Sequence, residues 1–178
     1  GRRVTDPETL EVMKMALAGQ VSVDVAAAMR LAEVPALCTT GVSAGLLDAV
    51  RRPPKVITGA GPDPVDLGLV GDIVSVDTAA LEKIASVGFV PVMGSLGGDA
   101  GGNVFNINAD TVAARVAAKL RAAKLFLVSN VPGVLRDKND VSTRMPRLTA
   151  AEAREQIASG VISGGMIHKV EESLAMLE

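Results

Sequence analysis

An α/β domain built on a mainly parallel sheet is the fold class this sequence predicts, and two observations predict it. Residues 89–128 run strand, glycine-rich loop, helix, strand. A short apolar run at 89–93 is followed by Gly94, Gly97, Gly98, Gly101 and Gly102. Residues 111–120 then repeat small and apolar side chains at helical spacing, and 124–128 is again an apolar run of central-strand length. Such a βαβ-like unit closes with a right-handed crossover. The second observation is bulk: 178 residues at 48% hydrophobic content bury a core of one domain, or a large part of one.

From the N-terminus, Thr5 and Glu8 have capping-box spacing and Pro7 suits a first helical turn, so a helix is predicted from there to Ala18 and Gly19. Its apolar residues Leu10, Val12, Met13, Met15, Ala16 and Leu17 cover more than one stripe, which predicts two packing partners, one of them another subunit. A second helix is predicted at 21–32 and a short strand at 35–39, running into Gly41, Val42, Ser43, Ala44 and Gly45. Two prolines and three basic residues at 51–55 mark an exposed connection, with an edge strand at 55–58. Alternation over 69–76 predicts a strand, 78–87 an amphipathic helix, and 89–93 a buried strand that ends at the glycines. Beyond 124–128, residues 129–135 read as a turn at the carboxyl end of a parallel strand, the edge where ligands gather in open α/β sheets. Thr149 and Glu152 form a capping box for a helix to Ser159, stopped by Gly160, and the last helix begins at Ser163, Gly164, Gly165 and Met166.

Charge and cysteine usage exclude several classes. A net charge of −2, from 18 basic and 20 acidic residues with no basic run longer than a pair, leaves no electrostatic footprint for nucleic acid. No uninterrupted apolar run reaches about 18 residues and no secretory leader opens the sequence, so neither membrane span nor export is predicted and the chain reads as cytoplasmic. The lone Cys38 has no disulfide partner and reads as a small buried hydrophobe, and the lone His168 cannot anchor a zinc site without cysteine partners, so no metal ligands are predicted. Neither a Walker loop nor a dinucleotide fingerprint occurs.

Chemistry is expected to converge on Asn106, Asn108 and Asp110. Asn108 reads as a helix N-cap and Asp110 as a first-turn acid, which the helix dipole alone would favour by roughly 0.3 to 1 kcal/mol. A second candidate is the start of the last helix. Ser163, Gly164 and Gly165 offer free backbone amides to an anion, with Lys169 one turn further in. Against this, two glycines also make a tight turn, and a lysine on an exposed helix is usually just solvated.

In their order, residues 3–6, 66–72, 106–110, 131–135 and 164–170 resemble the acetylglutamate kinases of the amino acid kinase superfamily. The resemblance covers almost the whole chain. It implies a three-layer αβα sandwich with a mainly parallel central sheet, and phosphorylation of the side-chain carboxylate of N-acetyl-L-glutamate by ATP with Mg2+, in arginine biosynthesis. Lys169 and Asp110 would be catalytic, the lysine stabilising the transferring phosphoryl group and the aspartate holding lysine ammonium groups. Arg3 would grip the substrate α-carboxylate with its planar fork, while Asn106 and Asn108 bind the acetylamino acid. Asn130, Val131, Pro132, Gly133, Val134 and Leu135, with Val161, Ile162, Ser163, Gly164 and Gly165, would contact the nucleotide. Magnesium would be held mainly by phosphates and water.

The same resemblance implies a single kinase domain. Residues up to about 105 form its substrate-side and dimerisation part, and residues from about 106 to 178 its nucleotide-binding part. It also implies a homodimer, or a higher homo-oligomer, through the helix at 7–18. The family's N-terminal glycine loops and C-terminal end have no counterpart here, so an incomplete fold, inactive alone, is expected. Asn130 stands where many relatives have aspartate, and Gly41 to Ala44 departs from the family pattern. A related acetylaminoadipate or carrier-protein-linked kinase is one alternative, and a catalytically silent binding or oligomerising module the other.

Overall fold

The computed structural model describes residues 4–56, 62–137 and 139–176. Backbone contacts divide them into two compact units, residues 1–112 and residues 113–178, and each is described by itself.

The first unit opens on a helix that the sequence divides differently. Asp6, not Thr5, is the N-cap of α1 (Pro7–Lys14), its carboxylate accepting from the Thr9 N–H at 2.7 Å. Thr5 is unavailable because it is an isolated parallel bridge partner of Gly68 and 1% exposed. The helix also does not stop at Gly19. It passes through a π-helical stretch, Met15–Gln20, where the Val21 N–H reaches back to the Ala16 carbonyl, and continues as α2 (Val21–Leu31). A lone interior glycine costs about 1 kcal/mol against alanine, which flanking helix formers absorb when no left-handed cap ends the turn. By length and mean hydropathy the continuous helix Pro7–Leu31 matches a membrane span, although Lys14 and Asp24 interrupt it. None of its most apolar window is buried within the chain.

Strands β1 (Ala36–Thr40) and β4 (Val90–Gly94) pair in parallel over five residues, with α3 (Thr78–Ser86) between them in sequence. The N-terminal end of β4 is less buried than its apolar composition predicts, Phe89 and Val90 both being exposed. A four-stranded mixed sheet has the order β3-β2-β5-β6, formed by β3 (Gly71–Val76), β2 (Leu47–Arg51), β5 (Leu96–Gly98) and β6 (Val104–Asn106). Residues 57 and 58 of the expected edge strand lie outside the described residues, but Lys55 pairs antiparallel with Val65.

Of the glycines after β4, Gly97 and Gly98 are therefore strand residues, and Gly101 and Gly102 form the turn before β6. A Cβ on Gly97 would sit 2.7 Å from Ile107 Cδ1 and 3.0 Å from the Ala49 Cβ, so the sheet packs too closely there for a side chain. Leu47, Ala49, Leu96, Phe105 and Ile107 form the buried core of this sheet.

Helix α4 (Ala109–Lys119) spans the division between the units. In the second unit the strand expected at 124–128 does not form, and no ladder engages it among the described residues. Phe126 is 79% and Val128 93% exposed. An apolar run becomes a strand only where a neighbouring strand supplies hydrogen bonds, and none among the described residues does so here. Beyond it, residues 134–137 and 139–145 fold back as a hairpin-like arm. Leu135 bridges Arg144, the Met145 N–H donates to the Val134 carbonyl at 2.9 Å, and the short 3-10 turn Val141–Thr143 lies at the tip. Helix α5 (Ala150–Ala158) carries the predicted Thr149–Glu152 capping box, and α6 (Gly165–Met176) follows.

Candidate functional site

Asn106, Asn108 and Asp110 are placed by a strand end and a helix start. Asn106 is the last residue of β6, and its N–H donates to the Leu69 carbonyl at 2.9 Å. One residue on, the buried Ile107 anchors the turn, its N–H bonded to the Ser95 carbonyl at 3.0 Å. Asn108 then caps α4 as predicted: its Oδ1 accepts from the Asp110 N–H at 2.8 Å and the Thr111 N–H at 3.4 Å, and its own carbonyl accepts from the Val112 N–H. Asp110 follows as the first-turn acid.

Sequence reasoning missed the contacts that fix this corner. The Asn106 Nδ2 donates to Thr5 Oγ1 at 3.0 Å, across 101 residues of sequence. Thr5 in turn is clamped by backbone: its N–H donates to the Leu67 carbonyl at 3.0 Å and its carbonyl accepts from the Leu69 N–H at 2.7 Å. Between those contacts Gly68 has φ +71°, and a Cβ there would meet the Thr5 carbonyl oxygen at 2.3 Å, so only glycine fits. Asp66 and Arg51 brace the same turn. Asp66 accepts from the Gly68 N–H, and the Arg51 guanidinium donates to the Gly68 carbonyl and to Asp66. Asp66, Gly68 and Asp72 were legible as a motif, but nothing in their spacing shows that Thr5 docks on them. Arg3 lies outside the described residues.

The basic residues of the 51–55 connection are partly committed. Arg51 pairs with Asp66, and Arg52, largely buried, with Asp72.

In the second unit, Asn130, Val131 and Pro132 are exposed, while Gly133, Val134 and Leu135 enter the hairpin-like arm. Ile162 is a core side chain, 2% exposed, whose N–H donates to the Gln156 carbonyl, so it anchors the turn between α5 and α6. Val161 is half-buried beside it and Ser163 exposed. Gly164 has φ +60° and starts the turn into α6, whereas Gly165 has open space where a Cβ would stand. Lys169, one turn further, is half-buried and its carbonyl accepts from Ser173 Oγ. A cavity of about 430 Å3 lies against the arm and α5, lined by Arg136, Arg144, Arg147 and Glu152 among others, but by none of residues 130–135 or 161–165.

A family model described as the amino acid kinase family matches residues 1–178. The chain belongs to the amino acid kinase family. Its αβα fold class is that of the family, and relatives at high identity carry one name. An acetylglutamate kinase of Sorangium cellulosum (strain So ce56) is 56% identical over 99% of this chain and 62% of its own length. An acetylglutamate kinase of Anaeromyxobacter sp. (strain Fw109-5) is 49% identical over 100% of this chain and 66% of its own. Among solved structures, an N-acetylglutamate synthase of Neisseria gonorrhoeae complexed with coenzyme A and N-acetyl-glutamate superposes with a TM-score of 0.79. It is 28% identical, over 98% of this chain and 37% of that one. The chain thus spans slightly under two thirds of the length of these two kinases.

Proposed function

We propose that this chain serves ATP-dependent phosphorylation of the side-chain carboxylate of N-acetyl-L-glutamate, a step of arginine biosynthesis in the cytoplasm. The observation that carries the reading is the identity of 49 to 56%, over nearly all of this chain, to proteins named acetylglutamate kinase.

The chemistry asks little covalent work of the protein. A carboxylate nucleophile is already ionised at neutral pH, so it needs alignment with the γ-phosphate and neutralisation of the charge between them. On this reading the first unit is the substrate side, with Asn106 and Asn108 on the acylamino group and Arg3 on the α-carboxylate. The second unit is the nucleotide side. There the amides of Ser163, Gly164 and Gly165 cradle phosphate at the start of α6, residues 130–135 flank the nucleotide, and Lys169 neutralises the transferring group. Asp110 accepts from lysine ammonium groups and so fixes where their charge sits. Magnesium accompanies ATP, held by phosphates and water.

The deciding experiment is a coupled ADP-release assay on the full-length gene product with N-acetyl-L-glutamate and N-acetyl-L-2-aminoadipate. Preference for acetylglutamate by kcat/KM is expected. Preference for the longer acid would move the chain to the lysine-type kinases, and turnover of neither, with retained binding, would make it a silent module.

A further inference from the structure

The second unit carries a cavity that the proposed kinase chemistry leaves unused. Walled by the arm and by α5, it encloses about 430 Å3, inside the roughly 300 to 1,000 Å3 typical of small-molecule sites. Its charged lining is one-sided. Arg136, Arg144 and Arg147 are matched there only by Glu152, a surplus of two positive charges in a chain whose net charge is −2. None of the three arginines forms an ion pair among the described residues.

The one acid is already engaged. Glu152 accepts from the Thr149 N–H at 2.7 Å and from the Thr149 hydroxyl at 2.8 Å. Those bonds, with the nearby charge of Arg147, hold its carboxyl below the usual range, so it counts as one full negative charge. The aspartates of the arm do not close the balance. Asp140 accepts from the Ser142 N–H and hydroxyl and Asp137 from the Asn139 N–H, both outside the lining of the cavity.

The arginines stand on a braced frame. The Arg136 N–H donates to the Thr143 carbonyl at 3.1 Å, and Leu135 bridges Arg144, so Arg136 and Arg144 ride on opposite sides of the arm. The Arg144 stem packs over Gly133, its Cδ 3.7 Å from where a Cβ would stand. A guanidinium presents a planar fork that matches the paired oxygens of a carboxylate or a phosphate. Three forks around one space, with two charges in surplus, complement a ligand carrying two negative charges. A bare ion would fill little of this volume, and Met145 and Leu148 give the cavity an apolar wall for a carbon body.

We propose that this cavity binds a small organic dianion, a phosphomonoester or a dicarboxylate, at a site apart from the proposed nucleotide residues 130–135 and 161–165. The test is calorimetric titration of the full-length gene product, first saturated with Mg2+, a non-hydrolysable ATP analogue and N-acetyl-L-glutamate so that both proposed substrate sites are filled. The probes are phenyl phosphate and glutarate, with benzoate as the monoanion of similar size. At least one dianion should bind to a single equivalent, about tenfold or more tighter than benzoate. Tighter phenyl phosphate would identify the natural ligand as a phosphomonoester, and tighter glutarate as a dicarboxylate. Arg144→Gln and Arg147→Gln should each weaken the dianion about tenfold, the scale of one charge-assisted hydrogen bond. Glu152→Gln should act in the opposite sense and tighten it several-fold, because glutamine keeps the capping box while removing the one negative charge.

No saturable binding of either dianion up to about 10 mM overturns the proposal. So does wild-type affinity in both arginine variants at an unchanged melting temperature, or weaker binding in Glu152→Gln. Binding seen only when the ATP analogue is left out also overturns it, since the anion would then belong to the nucleotide site. Should an arginine variant fail to fold, Glu152→Gln carries the same test through the opposite sign.

Discussion

At the scale of single residues, Gly164 and Gly165 look alike in sequence and differ in what they are for. Gly164 has a positive φ and needs to be glycine for the turn, but nothing within 4 Å forbids a Cβ at Gly165. A glycine that neither backbone nor packing requires, at the first turn of α6, suits close approach by a phosphate. Gly165→Ala is therefore expected to keep or slightly raise the melting temperature, since alanine is the better helix former by about 0.8 to 1 kcal/mol, while weakening MgATP binding several-fold by titration calorimetry. Unchanged nucleotide affinity would leave Gly165 outside the site. Lys169→Ala should act differently, lowering kcat by orders of magnitude with little change in the KM for acetylglutamate, because its charge matters most as the phosphoryl group moves. Equal kcat in that variant would return Lys169 to an ordinary helix lysine. The cap role of Asn108 was readable from sequence because capping is local chemistry within three residues. The bond between Thr5 and Asn106 was not, because it joins positions 101 residues apart through a turn whose geometry depends on Gly68.

Among the elements, the long N-terminal helix is the one whose surface most needs explaining. Val12, Met15, Val21, Val23 and Leu31 are all exposed, Met15 at 66%, on a helix with only Leu10 buried in its first segment. Its composition showed that more than one face was apolar, and the structure shows that this chain covers little of it. Gly19 misled the reading because a glycine signals a stop only when the chain can turn there, and here the backbone absorbs it as a π turn. We expect this surface to be the contact between two copies, so Met15→Glu should convert a dimer to monomer by light scattering on the full-length gene product. An unchanged mass would assign the face to contacts within one subunit. The run at 124–128 was misread for a related reason: apolar strand composition is legible locally, but pairing is decided by neighbours, and Phe126 and Val128 lie exposed for want of them.

For the whole molecule, the fold class was legible because strand, turn and helix signals alternate along the chain, and five ordered motifs carried the family. What the order of motifs cannot supply is charge at the right place. Phosphoryl transfer needs positive groups on both sides of the moving phosphate. The second unit offers Lys169. In the first, Arg51 and Arg52 are committed to Asp66 and Asp72, which leaves neither as a ready substitute for a second phosphate-binding cation. The 178 residues also span only 62 and 66% of two kinases they resemble at 49% identity or more. A missing cationic clamp in phosphoryl transfer costs about 10³ to 10⁵ in rate, by the scale of arginine-finger loss. The 178-residue polypeptide alone is therefore expected to release no ADP above background from MgATP and N-acetyl-L-glutamate, even where titration detects nucleotide. Protein concentration in that assay has to come from peptide-bond absorbance or refractometry, since the chain has no Trp or Tyr. Turnover within tenfold of a complete relative would show that a cation within these residues, such as Lys55 or Arg52, already completes the clamp.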